Sequence, residues 1–488
     1  MKIYKINYTK RFFIRVKYLL FLSFLFYSVI VSAQKKEWTL KECIEFAYKN
    51  NIALRQQMLT EDISRINYNQ AKSNILPNLN FTDGQAFSFG NTISNNNTQI
   101  THQNSNSNNP SLVSNVVIYG GNKLKNITKE NKLMYGASEL DYEKQKNDLS
   151  LNITAAYIQV MYQYDAVKIA QGQIENDSIQ VEKTKKYVVA GQLAESNLFL
   201  INAQLATDKS AKVNAENLLI LAKVLLQQLM ELPINDFFEI ETPLINEILP
   251  DTKTTAAEIY KYAEGKFPEI KSAAIKTNAA IIDLQVNKAS GKPTLSLSGS
   301  ISTEYYSGLS HINYNTIYQN QTIGFLQNNP SEAVIGSVPL TTVSTQKYPF
   351  FNQFKDNFSQ LVSVNLSVPI FNNYKTSNNI QLAKIAIENA KLNEQAIKNT
   401  LRKNVEQAYT DLLAASKNYL ASAEQLNSET KAYIDMEKKF NAGLASATDY
   451  LVEKTNNYKS NISFVQSKYN LYFKIKVVDF YTGTSLTK

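Results

Sequence analysis

None of the chain's 11 prolines lies between positions 111 and 232, and none follows position 369. Proline breaks helix interiors because it removes a backbone hydrogen bond and clashes with the preceding turn. Two stretches of roughly 120 residues are therefore free to be helical, and their Ala, Leu, Glu, Gln and Lys content favours that state. In the second stretch the apolar seam runs Ile397, Leu401, Val405, Ala408, Leu412, Ala415 and Tyr419, then Leu426, Tyr433 and Phe440. Its early steps of three and four are the heptad-like rhythm of helices packed lengthwise. A helix from Asn372 to Phe440 has about 69 residues and, at ~1.5 Å per residue, spans on the order of 100 Å. No globular core is that wide, so the spacing predicts a long bundle or tube.

The chain also repeats itself. At an offset of 252 residues, Tyr119 maps to Phe371, Tyr157 to Tyr409, Ala190-Gly191 to Ala442-Gly443 and Ala194 to Ser446. Earlier parts align at an offset of 216: "CIEFAYKNN" (43–51) faces "IYKYAEGKF" (259–267), and Pro77 faces Pro293. The 36-residue difference is extra sequence between Pro293 and Phe371. Each half reads as short helix, helix, proline, strand, loop, strand, very long helix, glycine break, long helix. Gly191 and Gly443 fall at those breaks, where positive φ is easy for glycine and a helix can turn back.

Four segments alternate like strands. In "LNFTDGQAFSF" (79–89), Leu79, Phe81, Phe87 and Phe89 share a face. In "TLSLSGSISTEY" (294–305), a serine ladder opposes Leu295, Leu297, Ile301 and Tyr305, and in "LVSVNLSVPI" (361–370) Val362, Val364, Leu366, Val368 and Ile370 oppose Ser363, Asn365 and Ser367. "LVSNVVIY" (112–119) is the weakest of the four. Strands of about 10 residues with one apolar and one small-polar face suit a barrel wall between lipid and water, or a half-buried sheet in a soluble domain. Polar loops are expected at 90–111 and 306–359, the second carrying Tyr306, Tyr348, Phe350, Phe351 and Phe354 as a possible interfacial belt. Four strands cannot close a membrane barrel, and open edges are not tolerated in lipid. Copies must combine. Two give eight strands and three give twelve, and only a wider ring leaves an aqueous lumen.

The N-terminus supports export. Six cations (Lys2, Lys5, Lys10, Arg11, Arg15, Lys17) precede the apolar run "YLLFLSFLFYSVIV", and "VSAQ" places small residues for cleavage after Ala33. Without that segment the net charge falls from +9 to +3, which leaves no nucleic-acid footprint. The mature chain holds one cysteine, Cys43, so no disulfide framework is possible. The two histidines, His102 and His311, lie in the polar loops, away from any Ser-His-Asp set, metal cluster or phosphate loop. No catalysis, cofactor or metal is expected.

"WTLKECIEFAYKNNIALRQQ" (38–57), "LPNLNF" (76–81), "VPIFNNYKTSNNIQLAK" (368–384) and "FNAGLASATDYLVEKTNNY" (440–458) together resemble TolC-type outer-membrane factors, in order and duplicated. The resemblance covers nearly the whole mature chain. It implies a mainly α fold with a β-barrel portion: a homotrimer with a twelve-stranded barrel in outer-membrane lipid and a helical tunnel in the periplasm of a Gram-negative cell. The expected organisation is signal peptide 1–33, N-terminal helices 34–78, first barrel hairpin 79–119, and long helices 120–230 with a turn near 191. An equatorial segment 231–268, a helix 269–292, a second barrel hairpin 293–371 and long helices 372–480 with a turn near 443 follow. The implied function is the exit duct of a tripartite efflux or type I secretion system, served by a periplasmic adaptor and an inner-membrane transporter. The implied docking positions are Gly191, Leu193, Ala194, Gly443, Leu444, Ala445 and Ser446, and Asp449 aligns with an acidic ring that narrows the tunnel mouth. The tyrosine and arginine that form gating hydrogen bonds in one branch of the family correspond here to Phe440 and Ala445, which cannot make them. The rival reading, a trimeric coiled-coil surface protein or adhesin, explains the heptads but not strands inserted at matching places in a duplicated chain.

Overall fold

The computed structural model describes residues 37–486 except 94–99, 103, 235–236, 244 and 246–253. The expected signal peptide lies outside the described residues, as do parts of the 90–111 loop and of the 231–268 segment.

The duplication is explicit in the helices. The first set is α1 (Leu40–Asn50), α2 (Ile52–Ser73), α3 (Lys123–Val189) and α4 (Glu195–Leu229), with lengths of 11, 22, 67 and 35 residues. The second set is α5 (Ala256–Lys266), α6 (Pro268–Ala289), α8 (Lys375–Asn441) and α9 (Ala447–Thr482), with 11, 22, 67 and 36 residues. A short helix, α7 (Phe350–Asp356), has no counterpart in the first set. The two offsets read from the sequence recur as local geometry. Thr39 and Thr255, 216 residues apart, each accept from the backbone of a glutamate three residues on, whose carboxylate accepts in return from the cap backbone. Gly121-Asn122 and Asn373-Tyr374, 252 residues apart, both enter the long helices through paired positive φ angles of 62°/69° and 53°/60°.

The chain forms two compact units. The first holds described residues 37–64, 134–277 and 389–486. Its main core joins Cys43, Ala47 and Leu54 to Ile153, Tyr157 and Met161 of α3, Leu226 of α4 and Met230 at its C-cap, and Tyr469 of α9. Strands β1 (Glu37–Trp38) and β8 (Glu239–Ile240) pair in parallel beside it, and the Tyr157 hydroxyl donates to the carbonyls of Trp38 and Glu241. A second cluster packs Ile259, Ala263, Phe267 and Ile270 against Leu401 and Val405, with Phe480 and Tyr481 at its margin. Ala47 and Ala263, equivalent under the repeat, are both fully buried.

The second unit holds residues 65–133 and 278–388. Its centre is an antiparallel sheet in the order β13 (Ser359–Ser367), β9 (Thr294–Ser302), β7 (Ser111–Tyr119), β2 (Asn80–Thr82). Register sorts its two faces. Ser359, Ser302, Ser111 and Thr82 form one row across all four strands. Their hydroxyls pair at 2.7 Å (Thr82–Ser111) and 2.9 Å (Ser302–Ser359), and Ser298 and Ser363 pair at 2.6 Å on the same face. The opposite face carries Phe81, Leu112 and Ile301 in one row, Val116, Leu297 and Val364 in another, and Tyr119, Leu295 and Leu366 in a third. Val364 and Leu366 are 63% and 66% exposed, so this apolar face has no cover within the chain. Leu361, Val113 and Val117 are apolar exceptions on the hydroxyl face, and Gln360 and Ser114 are polar exceptions on the apolar one. Among the described residues, neither β2 nor β13 has a second partner strand.

Two expectations are corrected here. The strand expected at 79–89 is two pieces, β2 and β3 (Gln85–Ser88); β2 pairs with β7, and β3 with β6 (Ser105–Asn108). Asp83-Gly84, two residues of low strand propensity, makes the break, and the Gly84 carbonyl accepts from the Asn109 amide. The segment 112–119, whose alternation is the weakest in sequence, is nonetheless a strand as expected, part of a nine-residue inner strand of the sheet. The loops carry regular structure. β4 (Asn91–Ile93) pairs with β5 (Ile100–His102), and β10 (Tyr305–Tyr306) pairs with β6. Much of 306–359 is a long hairpin of β11 (Ser310–Leu326) and β12 (Asn329–Lys347), followed by α7. Phe350 stacks on Phe354 in α7 and meets Tyr305 edge-on, so these aromatics pack on one another.

Candidate functional site

The two glycine breaks are equivalent helical turns with defined hydrogen bonds. In α8 the Leu444 amide donates to the Lys439 carbonyl at 2.8 Å and the Gly443 amide to Phe440 at 3.0 Å. In α3 the Gln192 amide donates to Tyr187 at 2.8 Å and the Gly191 amide to Val188 at 3.0 Å. Both are Schellman closures with glycine in the left-handed region, at φ 74° and 72°. The restart differs. Ser446 caps α9 by accepting from the Asp449 amide at 3.1 Å, while the Asp449 carboxylate accepts from the Ser446 amide and hydroxyl at 3.3 and 2.7 Å. Ala194 caps α4 without a side-chain bond. Replacing Ser446 with alanine should cost about 1 kcal/mol of local helix stability, and Gly443→Val about 1–2 kcal/mol through the left-handed backbone. Hydrogen exchange of the first-turn amides of α9 should report both as faster opening, with little change at Gly191.

The expected site residues separate into two groups. Leu444 is 80% exposed, and Gly191, Ala194, Gly443, Ser446 and Asp449 are exposed with it. Leu193 and Ala445 turn inward against a small core of Ile201, Phe440, Ala447 and Tyr450. Phe440 is buried and lies parallel to the Tyr450 ring, with centroids 5.0 Å apart and 13° between planes. Tyr433 sits beside Tyr450, their hydroxyls 3.5 Å apart. Phe440 and Ala445 thus belong to an aromatic core and offer no side-chain hydrogen bond there. Burial raises the Tyr450 hydroxyl far above its ordinary range, and its bond to Tyr433 adds to the rise.

Beside this core is a charged cluster for which single-residue reading found no sign. The Lys454 ammonium of α9 donates to Asp177 of α3 and, at 2.7 Å, to Asp208 of α4. Lys454 and Asp177 side chains are each 3% exposed. Gln204 donates to the other Asp208 oxygen at 2.9 Å, whereas Asp177 Oδ2 is buried without a partner. The signal was present in the spacing. Ala170, Asp177 and Thr184 are seven apart, as are Ile201 and Asp208, and Ala447 and Lys454, so each charge stands on a heptad seam. Among the described residues no group of His, Cys, Asp and Glu has the arrangement of a metal site. No described helix is long and apolar enough to cross a membrane.

Comparison with known proteins agrees with this architecture. The chain matches the outer membrane efflux protein family over residues 43–230 and 259–474. It is 21% identical over 431 residues to the outer membrane protein TolC of Escherichia coli strain K12, covering 88% of this chain and 79% of TolC. The CmeC outer membrane channel of Campylobacter jejuni has the same fold with a TM-score of 0.72 at 18% identity, over 91% of this chain and 85% of that one. The open-state MtrE outer membrane channel of Neisseria gonorrhoeae gives 0.68 at 17% identity, over 92% and 89%. The family match spans most of both repeats, and the chain belongs to the outer membrane efflux protein family.

Proposed function

We propose that three copies of this chain close a twelve-stranded barrel in the outer membrane and a helical tunnel in the periplasm. The assembly is the exit duct for substrates delivered by an inner-membrane transporter and a periplasmic adaptor, in tripartite efflux or type I secretion. The observation that carries this reading is the β13-β9-β7-β2 sheet, whose apolar face is uncovered and whose two edges are unpaired among the described residues. In lipid such edges must find partners, and only other copies offer matching strands. The helices give independent support. Phe199, Ile220 and Leu221 on α4 and Leu382, Ile385 and Leu392 on α8 are all exposed in the single chain, more apolar surface than a solvated helix leaves bare. The uncovered hydroxyl face suits a water-filled lumen. Trimer mass in detergent together with single-channel conductance in planar bilayers tests the proposal. A trimer that does not conduct would sink it in favour of a structural surface protein.

The turns are the proposed adaptor contacts, with Leu444 and its neighbours Gly443, Ser446, Gly191 and Ala194 presenting the surface, and Leu193 and Ala445 shaping it from beneath. Asp449 is the proposed acidic ring at the mouth, one carboxylate from each copy, and Phe440 is the gate residue that acts by packing. Leu444→Glu should reduce export at least tenfold while the trimer assembles normally, as read by substrate efflux and native mass. Ala445→Trp should also stop export, but through the aromatic core, so its turn amides should exchange faster whereas those of Leu444→Glu should not. Normal export by a well-expressed Leu444→Glu protein would count against docking at this turn.

A further inference from the structure

The cluster of Asp177, Asp208 and Lys454 brings two carboxylates and one ammonium into a site nearly closed to water. If both acids were ionised, the site would hold one uncompensated negative charge. Removing such a charge from water costs several kcal/mol after relaxation. A single proton shared between the acids removes the imbalance. The hydrogen bonds say where it resides. Asp208 is supplied with donors, from Lys454 and Gln204, and is the better anion. Asp177 has one oxygen on Lys454 and no donor to its other, buried oxygen, so it is the better acid and can carry the proton that bonds to Asp208.

The three residues belong to three different helices, α3, α4 and α9, and stand about two to four helical turns from the Gly191 and Gly443 closures. We propose that Asp177, Asp208 and Lys454 form a proton-operated clamp: protonated, it fastens α9 to the α3–α4 hairpin, and deprotonation loosens the helices at their turns. This rests on the reading of the turns as the periplasmic mouth of a duct. It supplies a way to hold the mouth shut where Phe440 and Ala445 cannot make hydrogen bonds.

The electrostatics agree in sign. Burial, then hydrogen bonding with Asp208, raises the Asp177 carboxyl from 3.8 to about 7, while Asp208 is held below its ordinary value by the bonds from Asp177, Lys454 and Gln204 acting against burial. The other titratable groups facing the cluster are Tyr433 and, beside it, Glu437 on α8, and Tyr450 and Tyr458 on α9. The three tyrosines are all raised by burial, so they stay neutral across the range that matters. A clamp opened to water lets Asp177 titrate near 3.8, whereas the closed clamp keeps its proton up to about pH 7. Between those values opening releases a proton, so opening is favoured as pH rises, by up to about tenfold per pH unit per chain. Below 3.8 and above about 7 the dependence from Asp177 vanishes.

The test uses the full-length protein reconstituted in planar bilayers. Wild-type open probability should climb between pH 5 and 7 and level off above it. Asp177→Asn keeps the neutral clamp at every pH and should hold the low-pH, closed level throughout. Asp208→Asn leaves one acid and one base with no proton to share, and should also flatten the profile. Trimer mass checks that both variants assemble. A wild-type pH profile in either variant would overturn the clamp while leaving the duct intact. If the protein does not conduct at all, the duct reading fails, and two measurements still decide the clamp. The first is an infrared carboxylic-acid band at pH 6 that Asp177→Asn abolishes. The second is tryptic cleavage at Lys438 and Lys439, which should speed up from pH 6 to 8 in wild type relative to Asp177→Asn. Absence of that band, or equal cleavage ratios at both pH values, would overturn it.

Discussion

Arginine at both Val364 and Leu366 should remove the protein from the outer membrane. Both side chains point from β13 onto the uncovered apolar face, in register with Leu297 and Leu295 of β9. In the proposed barrel they meet lipid. An arginine near the bilayer midplane costs about 2–4 kcal/mol, and two such sites in each of three copies raise the penalty beyond about 10 kcal/mol. That exceeds what a typical folded domain has in reserve. The double variant should therefore appear in the soluble or aggregated fraction, without the trimer band on unheated gels. The control lies one residue away. Ser363 and Asn365 share the hydroxyl face, and arginine at both should leave insertion intact while changing ion selectivity. Equal tolerance of both pairs would mean that the apolar face does not meet lipid.

The same sheet shows what could be read from the sequence and what could not. β9 and β13 were legible because one face is apolar and the other is serine and asparagine, so the period of two survives in the residue order. The long helices were legible for the complementary reason: proline is absent and the seam repeats in steps of three and four. Even the two offsets of the duplication reappear as paired capping boxes and paired left-handed corners. The β11–β12 hairpin was not legible. Its side chains are largely exposed on both faces, so nothing sorts apolar from polar residues, and Pro330 and Pro339 argue against a strand. The identical spacing of 3.3 Å per residue carries no signal when neither face has a core. At the turns, sequence located the glycines but neither the capping role of Ser446 nor the direction of the side chains beside it. That Leu444 projects while Leu193 and Ala445 fold inward depends on Phe440 and Tyr450, which belong to different helices and meet only in three dimensions.

Lys454→Met should be the most damaging single substitution in the helical unit. It removes the only cation in the cluster and leaves Asp177 and Asp208 facing each other in a nearly dry site. Breaking one partner out of a buried ion pair costs about 3–5 kcal/mol, because the remaining charge has neither water nor counterion. Here the loss should be largest at neutral pH and above, and it should shrink as pH falls and both carboxyls take up protons. The sign follows from linkage: the variant's folded site binds protons more tightly than the unfolded chain, so its stability decreases as pH rises. Hydrogen exchange is the right measurement, since the proposed membrane trimer would have no single two-state unfolding free energy. Amides of α9 near Tyr450 and Lys454 should open at least a hundredfold more often at pH 7, by the lower of those figures, while those of the Tyr157 core change little. Adding Asp177→Asn and Asp208→Asn to Lys454→Met removes every charge at once. The triple variant should recover most of the lost protection, since an uncharged set of similar volume is commonly neutral or stabilising. Recovery would show that the cluster contributes switching rather than rigidity. A triple variant as loose as Lys454→Met alone would instead make the three side chains packing elements whose charges are incidental.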